Sequence, residues 1–172
     1  MCSSDLDEAK RTLQELFARR VNAEIAAHVV YVEDYDLSVA AQLVRGCDVW
    51  LNVPRPPLEA SGTSGMKSAV NGGLQLSVLD GWWAEAYDGE NGWALSGDVF
   101  DDHSAQDDRD AGELLRLLMD EVVPAFYDRD GDGVPRAWLR RVRASLQSIG
   151  PQFSASRMLR DYMTRMYDDH SS

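Results

Sequence analysis

Apolar and polar positions alternate along this chain with two different periods, and the switch between them outlines its elements. From Asp7 to about Val21, the apolar residues Leu13, Leu16, Phe17 and Val21 recur at helical spacing with arginines on the opposite face, which predicts an amphipathic helix. His28 to Val32 is a short, β-branched apolar run of the kind expected for a buried parallel strand, and Leu37 to Val44 returns to helical spacing. Asp48 to Val53 reads as the next strand, stopped by Pro54, Pro56 and Pro57. After a glycine-rich turn, Ser64 to Asn71 reads as a helix ended by Gly72 and Gly73, and Leu74 to Leu79 as a third strand closed by Asp80-Gly81. The second half reads as helices over Arg109 to Phe126, Pro135 to Ser148 and Ala155 to Tyr167.

Strands alternating with helices predict an α/β fold with a parallel sheet and with ligands at the carboxyl ends of its strands. Three strands make a thin sheet, so further neighbours are expected from a longer polypeptide. Met1 to Leu6 resembles translated adapter sequence and is set apart as a non-native start. The remainder divides into an α/β part over residues 7–103 and a helical segment over residues 104–172.

Composition narrows the partners. With 29 acidic against 17 basic residues, the net charge of -12 opposes nucleic acid and anionic membrane. No apolar run approaches the roughly 20 residues that span a bilayer. The expectation is a cytoplasmic protein with a reduced, buried Cys47, since Cys2 and Cys47 have no metal-ligand spacing.

Lysine usage points to chemistry. Only Lys10 and Lys67 are lysines, and the other 15 basic residues are arginines. A GC-rich genome produces such a bias, yet an amine kept among guanidinium groups is also what imine formation with an aldehyde requires. Lys67 follows a strand end, a turn through Gly62 and a helix start near Thr63 or Ser64, where free N–H groups, the helix dipole and two hydroxyls make an anion site. One turn, roughly 5.4 Å of rise, separates these donors from Lys67. That spacing suits pyridoxal phosphate, with Lys67 taking the aldehyde and Thr63 and Ser64 the phosphate. A P-loop is the competing reading, but it places glycine directly before lysine, and here Met66 intervenes. An ordinary glycine-rich turn with a solvated lysine also satisfies the spacing.

The string EASGTSGMKSAVNGG, Glu59 to Gly73, resembles the cofactor-lysine motif of the glycogen and α-glucan phosphorylases. VYVEDYDLSVAAQLVRGCDVWLN upstream is similar to the strand, helix and strand that precede that motif. LSVLDGWWAEAYDGENGWAL downstream resembles in particular the shorter bacterial and archaeal members.

The resemblance implies part of the Rossmann-like carboxy-terminal lobe of a GT-B glycosyltransferase fold, followed by carboxy-terminal helices. It implies pyridoxal 5'-phosphate in Schiff-base linkage to Lys67, with Thr63 and Ser64 on its phosphate and Tyr35 lining the ring pocket. Glu59, Ser61 and Gly62 match positions that bind the glucosyl unit. The implied reaction is phosphorolysis of a terminal α-1,4-glucosyl unit by inorganic phosphate, giving α-glucose 1-phosphate, and no metal is implied. The family's basic cluster for substrate phosphate and its amino-terminal domain fall outside this chain, so the chain alone is expected to be inactive, and a homo-oligomer is compatible. A nucleotide-sugar glucan synthase lobe and a catalytically silent glucan-binding paralogue remain alternatives.

Weaker signals are open. Asp128, Asp130 and Asp132 open like a calcium loop, but Leu139 stands where a bidentate glutamate is needed and Pro135 interrupts, so a solvated turn competes with an interaction module that binds calcium. Trp82 and Trp83 could stack on sugar or pack against a neighbouring lobe. Asp107, Asp108 and Asp110 suit a helix amino terminus.

Overall fold

The computed structural model describes residues 3–19, 26–56 and 59–167 and divides into two units, residues 1–39 and 40–172. In the first unit, helix α1 spans Ser3–Arg19. Its residue Phe17 meets Tyr31 edge to face at 4.8 Å. Val21, expected to end this helix, lies outside the described residues. The expected strand over His28 to Val32 is not formed: the run is irregular and solvent-exposed, with Val30 at 78%. A parallel strand is stable only with ladder partners and cover on both faces, and this run has neither among the described residues. Asp36 accepts the backbone N–H of Val39 at 2.8 Å. Its carboxylate thereby caps helix α2, Leu37–Gly46, which begins in the first unit.

The second unit is a three-stranded parallel sheet with helices on both faces. Strands β1 (Val49–Asn52), β2 (Leu74–Val78) and β3 (Gly92–Leu95) lie in that order, with Asn52 opposite Ser77 and Val78 opposite Leu95. Helix α3 (Thr63–Val70) connects β1 to β2, and the short α4 (Gly81–Ala86) lies between β2 and β3. The chain then runs through α5 (His103–Leu117), a π turn over Leu118–Val122, α6 (Val123–Tyr127), α7 (Arg136–Gln152), α8 (Ala155–Tyr162) and a second π turn over Met163–Tyr167.

Every residue of the central strand β2 is buried. Leu74, Leu76 and Val78 pack with Trp93, Leu95, Leu117, Val122 and Trp138. A second cluster joins Ala69, Trp82, Trp83, Ala86 and Ile149. The helical segment therefore supplies core to the sheet: α5 brings Leu117, the π turn Val122, and α7 both Trp138 and Ile149.

Two boundary differences have local causes. The helix expected from Arg109 starts at His103, because Asp102 accepts the N–H groups of Ser104 at 2.9 Å and Ala105 at 3.4 Å. The cap is thus Asp102. Asp107 lies further along and pairs with Arg55, while Asp110 is buried. The π turn comes just before Pro124, whose missing N–H and bulky ring cannot continue an α-helical ladder.

Strand β3 is absent from the sequence expectation and is only four residues long. It opens with Gly92, where an added Cβ would lie 2.7 Å from the carbonyl oxygen of Gln75 and 2.8 Å from the Trp83 ring. The turn before it is held by Asp88, which accepts the N–H groups of Glu90 at 2.8 Å and Asn91 at 2.9 Å. Among the described residues, no helix is long and apolar enough to cross a membrane.

Candidate functional site

The carboxyl end of β1 and the start of α3 enclose an open cleft of about 370 Å³. Its walls are Trp50, Leu51 and Asn52 on the strand side and Glu59 through Gly65 on the loop and helix side. This is the place an open parallel sheet offers to ligands. Glu59, Ser61, Gly62, Thr63 and Ser64 are thus brought together. Lys67 stands one turn further along α3, exposed, outside the residues lining the cleft. Tyr35 belongs to the first unit and is 57% exposed.

The helix start has an unusual cap. Gly62 occupies the N-cap in the left-handed conformation, φ 62° and ψ 28°, and has no side chain to satisfy the first N–H groups of α3. The N–H of Gly65 returns to the carbonyl of Gly62 at 3.1 Å. Those of Thr63 and Ser64 precede the first intrahelical bond and have no partner among the described residues, and both residues line the cleft with exposed side chains. An anion is the natural cap for such an end. Among the described residues, the Lys67 ammonium has no ion pair. The donor set, two hydroxyls and free amides followed one turn later by an unpaired amine, fits a phosphate monoester that also carries an aldehyde.

Around this start the chain is tightly fixed. Asn52, at the end of β1, donates from Nδ2 to Oε2 of Glu59 at 2.7 Å, which orients the carboxylate at the cleft. At the other end of α3, Asn71 donates from its side chain to the carbonyl of Lys67 at 2.8 Å. Gly72, at φ 92°, and Gly73 then turn the chain into β2 through N–H bonds to Ala69 and Ser68, each 3.0 Å. Cys47 is free and half-buried, where burial was expected, and its sulfur lies 3.3 Å from the Ser68 hydroxyl.

The carbohydrate phosphorylase family model matches residues 13–91, a span that includes the whole cleft. Glycogen phosphorylase of Mycobacterium tuberculosis (strain ATCC 25618 / H37Rv) is 49% identical over 162 residues, covering 94% of this chain and 19% of the relative. Glycogen phosphorylase of Aquifex aeolicus is 46% identical, covering 93% of this chain and 23% of the relative. The chain belongs to the carbohydrate phosphorylase family. Maltodextrin phosphorylase of Thermococcus litoralis is 42% identical over 94% of the chain and 19% of its own length. The chain thus spans about a fifth of the length of these curated relatives, and the family resemblance carried by Glu59 to Gly73 is borne out.

Residues that pattern reading missed are those acting across the fold. Asn52 is one. Trp82 was singled out with Trp83 for stacking on sugar or packing, but not for its contact with α3: both are buried, at 8% and 1%, so neither is a free platform for sugar. Arg55, in the proline segment after β1, donates to Asp107 of α5 at 2.7 and 2.9 Å. Only the Trp82-Trp83 pair gave a signal, because a tryptophan doublet is conspicuous whatever it packs against. In the aspartate loop, Asp130 accepts the N–H groups of Asp132 at 2.9 Å and Val134 at 3.0 Å and pairs with Arg136. Its carboxylate is therefore already engaged. Among the described residues no group of three His, Cys, Asp or Glu side chains is arranged to hold a metal.

Proposed function

We propose that this chain is the cofactor-bearing part of an α-1,4-glucan phosphorylase, within the carboxy-terminal Rossmann-like lobe of a GT-B fold, acting in the cytoplasm. The observation that carries the reading is the start of α3: among the described residues, Gly62 leaves the Thr63 and Ser64 amides without a cap and the Lys67 amine, one turn on, has no ion pair. Lys67 holds pyridoxal phosphate through its ε-nitrogen. Thr63 and Ser64 hold the phosphate with hydroxyl and backbone donors, and the helix dipole favours its charge. The family resemblance assigns Tyr35 to the ring pocket.

Glu59 keeps one carboxylate oxygen on Asn52 and so offers its Oε1 to sugar hydroxyls. Ser61 and Gly62 complete that wall of the glucosyl site. When bound, the cofactor supplies a phosphate that exchanges a proton with the attacking inorganic phosphate. The substrates are an α-1,4-glucan and inorganic phosphate, and the product is α-glucose 1-phosphate. Phosphoryl charge needs fixed cations, which the family resemblance places outside this chain, so the chain alone is expected to release no glucose 1-phosphate from maltodextrin.

Two lysines make the test internally controlled. The folded chain is incubated with pyridoxal phosphate, reduced with borohydride and mapped by peptide mass. A pyridoxyl group on Lys67, with Lys10 unmodified, is expected. Equal labelling of both, or labelling of Lys10 alone, would overturn the reading and favour a nucleotide-sugar synthase lobe or a silent glucan-binding paralogue.

A further inference from the structure

The start of α3 rests on an aromatic wall. An added Cβ on Gly62 would lie 2.6 Å from Cδ1 and 2.7 Å from Nε1 of Trp82, and one on Gly65 would lie 2.9 Å from its Cζ2. The long edge of the indole therefore runs beneath one full helical turn, its pyrrole end under Gly62 and its benzo end under Gly65. Trp82 cannot retreat. Phe153 meets it edge to face at 5.4 Å and Trp83 packs at 5.4 Å, while Ala69 and Ile149 share the same cluster. Its own helix α4 is fixed by Asp80, whose Oδ1 accepts the N–H of Gly81 at 2.8 Å. Thr63 and Ser64, between the two glycines, are exposed.

We propose that Trp82 is a positioning residue that sets the height of the first turn of α3, and thereby aims Thr63, Ser64 and Lys67; this rests on reading α3 as the pyridoxal phosphate site. The glycines at 62 and 65 make room for this contact, since a side chain at either would press on the indole; Gly62 is also held at φ 62°, and a Cβ at Gly65 would meet Gln75 Oε1 at 2.7 Å as well. A smaller residue at 82 would let the turn sink, and donors misplaced by even a fraction of an ångström lose their shared grip on a rigid ligand. Trp82 lies outside the residues that line the cleft, so its effect passes through the backbone of the turn.

The test uses the 172-residue chain and three variants, Trp82→Phe, Trp82→Ala and Gly65→Ala, with Leu76→Val as a control for lost core packing away from α3. The readouts are the dissociation constant for pyridoxal phosphate at low temperature, the borohydride-fixed label on Lys67, and thermal unfolding. Trp82→Ala is expected to weaken cofactor binding roughly tenfold or more, with Trp82→Phe between it and the parent. Leu76→Val should lower the melting temperature and leave affinity unchanged. Gly65→Ala should weaken binding in the parent and weaken it less in the Trp82→Ala background, where the indole part of the clash has gone and only that with Gln75 Oε1, 2.7 Å from the added Cβ, remains. Should Trp82→Ala fail to fold, Trp82→Phe decides the matter. Unchanged affinity in folded Trp82 and Gly65 variants, with the parent labelled on Lys67, overturns the role of Trp82 alone. A parent that takes no label on Lys67 overturns the functional reading and this inference together.

Discussion

The side-chain amide of Asn52 donates a 2.7 Å hydrogen bond to Oε2 of Glu59, tying the last residue of β1 to the loop that precedes the Lys67 helix. The pair fixes a carboxylate at the mouth of the cleft without neutralising it. Asn52→Leu removes the donor and is expected to cost about 1 kcal/mol by urea denaturation, at the low end for a bond to a charged group because the site is partly open. Asn52→Asp goes further, since it sets a second carboxylate against the first and raises the pKa of one of them above the usual range near ~4. A folded-state pKa above the unfolded value makes the variant lose stability as pH rises. Its deficit at pH 7 should therefore shrink on lowering the pH to about 4, whereas that of Asn52→Leu should change far less.

Two glycines should respond in opposite directions. A Cβ at Gly92 would meet the Gln75 carbonyl oxygen at 2.7 Å and the Trp83 ring at 2.8 Å, and neither can move without disturbing the sheet. Gly92→Ala is expected to destabilise by about 1–3 kcal/mol. Gly112 is exposed inside α5, and a methyl group added there would find nothing within 4 Å. Alanine at this position removes only backbone freedom of the unfolded chain, so Gly112→Ala should stabilise by about 0.5–1 kcal/mol. Thermal unfolding of both variants beside the parent checks the pair.

These contrasts explain what the sequence could and could not reveal. The helix at Thr63–Val70 and the strand at Leu74–Val78 were readable because a glycine turn, a short periodic run and a Gly-Gly stop follow one another without interruption. The run His28 to Val32 misled, since apolar β-branched residues signal a strand only if neighbours exist to complete the ladder. Strand β3 escaped because glycine opens it and tryptophan interrupts any simple alternation. At the site, the residues of one continuous string were legible together. The Asn52–Glu59 bond, the contact of Trp82 with α3 and the Arg55–Asp107 pair were not, because each joins segments that no local spacing relates.

Arg55 joins the proline segment after β1 to Asp107 of α5 across an exposed surface. With the two side chains 36% and 57% exposed, the pair should contribute at most about 1 kcal/mol to global stability. Its larger effect should be local. Arg55→Ala is expected to leave the unfolding midpoint nearly unchanged and to speed amide hydrogen exchange selectively at Val53, at position 55 and in the Glu59–Gly62 loop. Equal acceleration throughout the sheet would contradict this local role.

Asp130 provides the clearest pH dependence. The N–H of Val134, followed by that of Asp132 and the Arg136 guanidinium, holds its carboxyl below the ordinary value of 3.8 despite an opposing effect of burial. A depressed folded-state pKa adds stability above the unfolded value, and that increment is lost as pH falls through the lower folded one. Asp130→Ala should therefore be less stable than the parent at pH 7, with the difference narrowing only below about pH 4. Since the same carboxylate is already engaged by two amides and a guanidinium, millimolar calcium should leave the parent's melting temperature unchanged. A calcium-induced rise that disappears in Asp130→Ala would instead show that the loop exchanges Arg136 for the metal, which would restore the interaction-module reading of this turn.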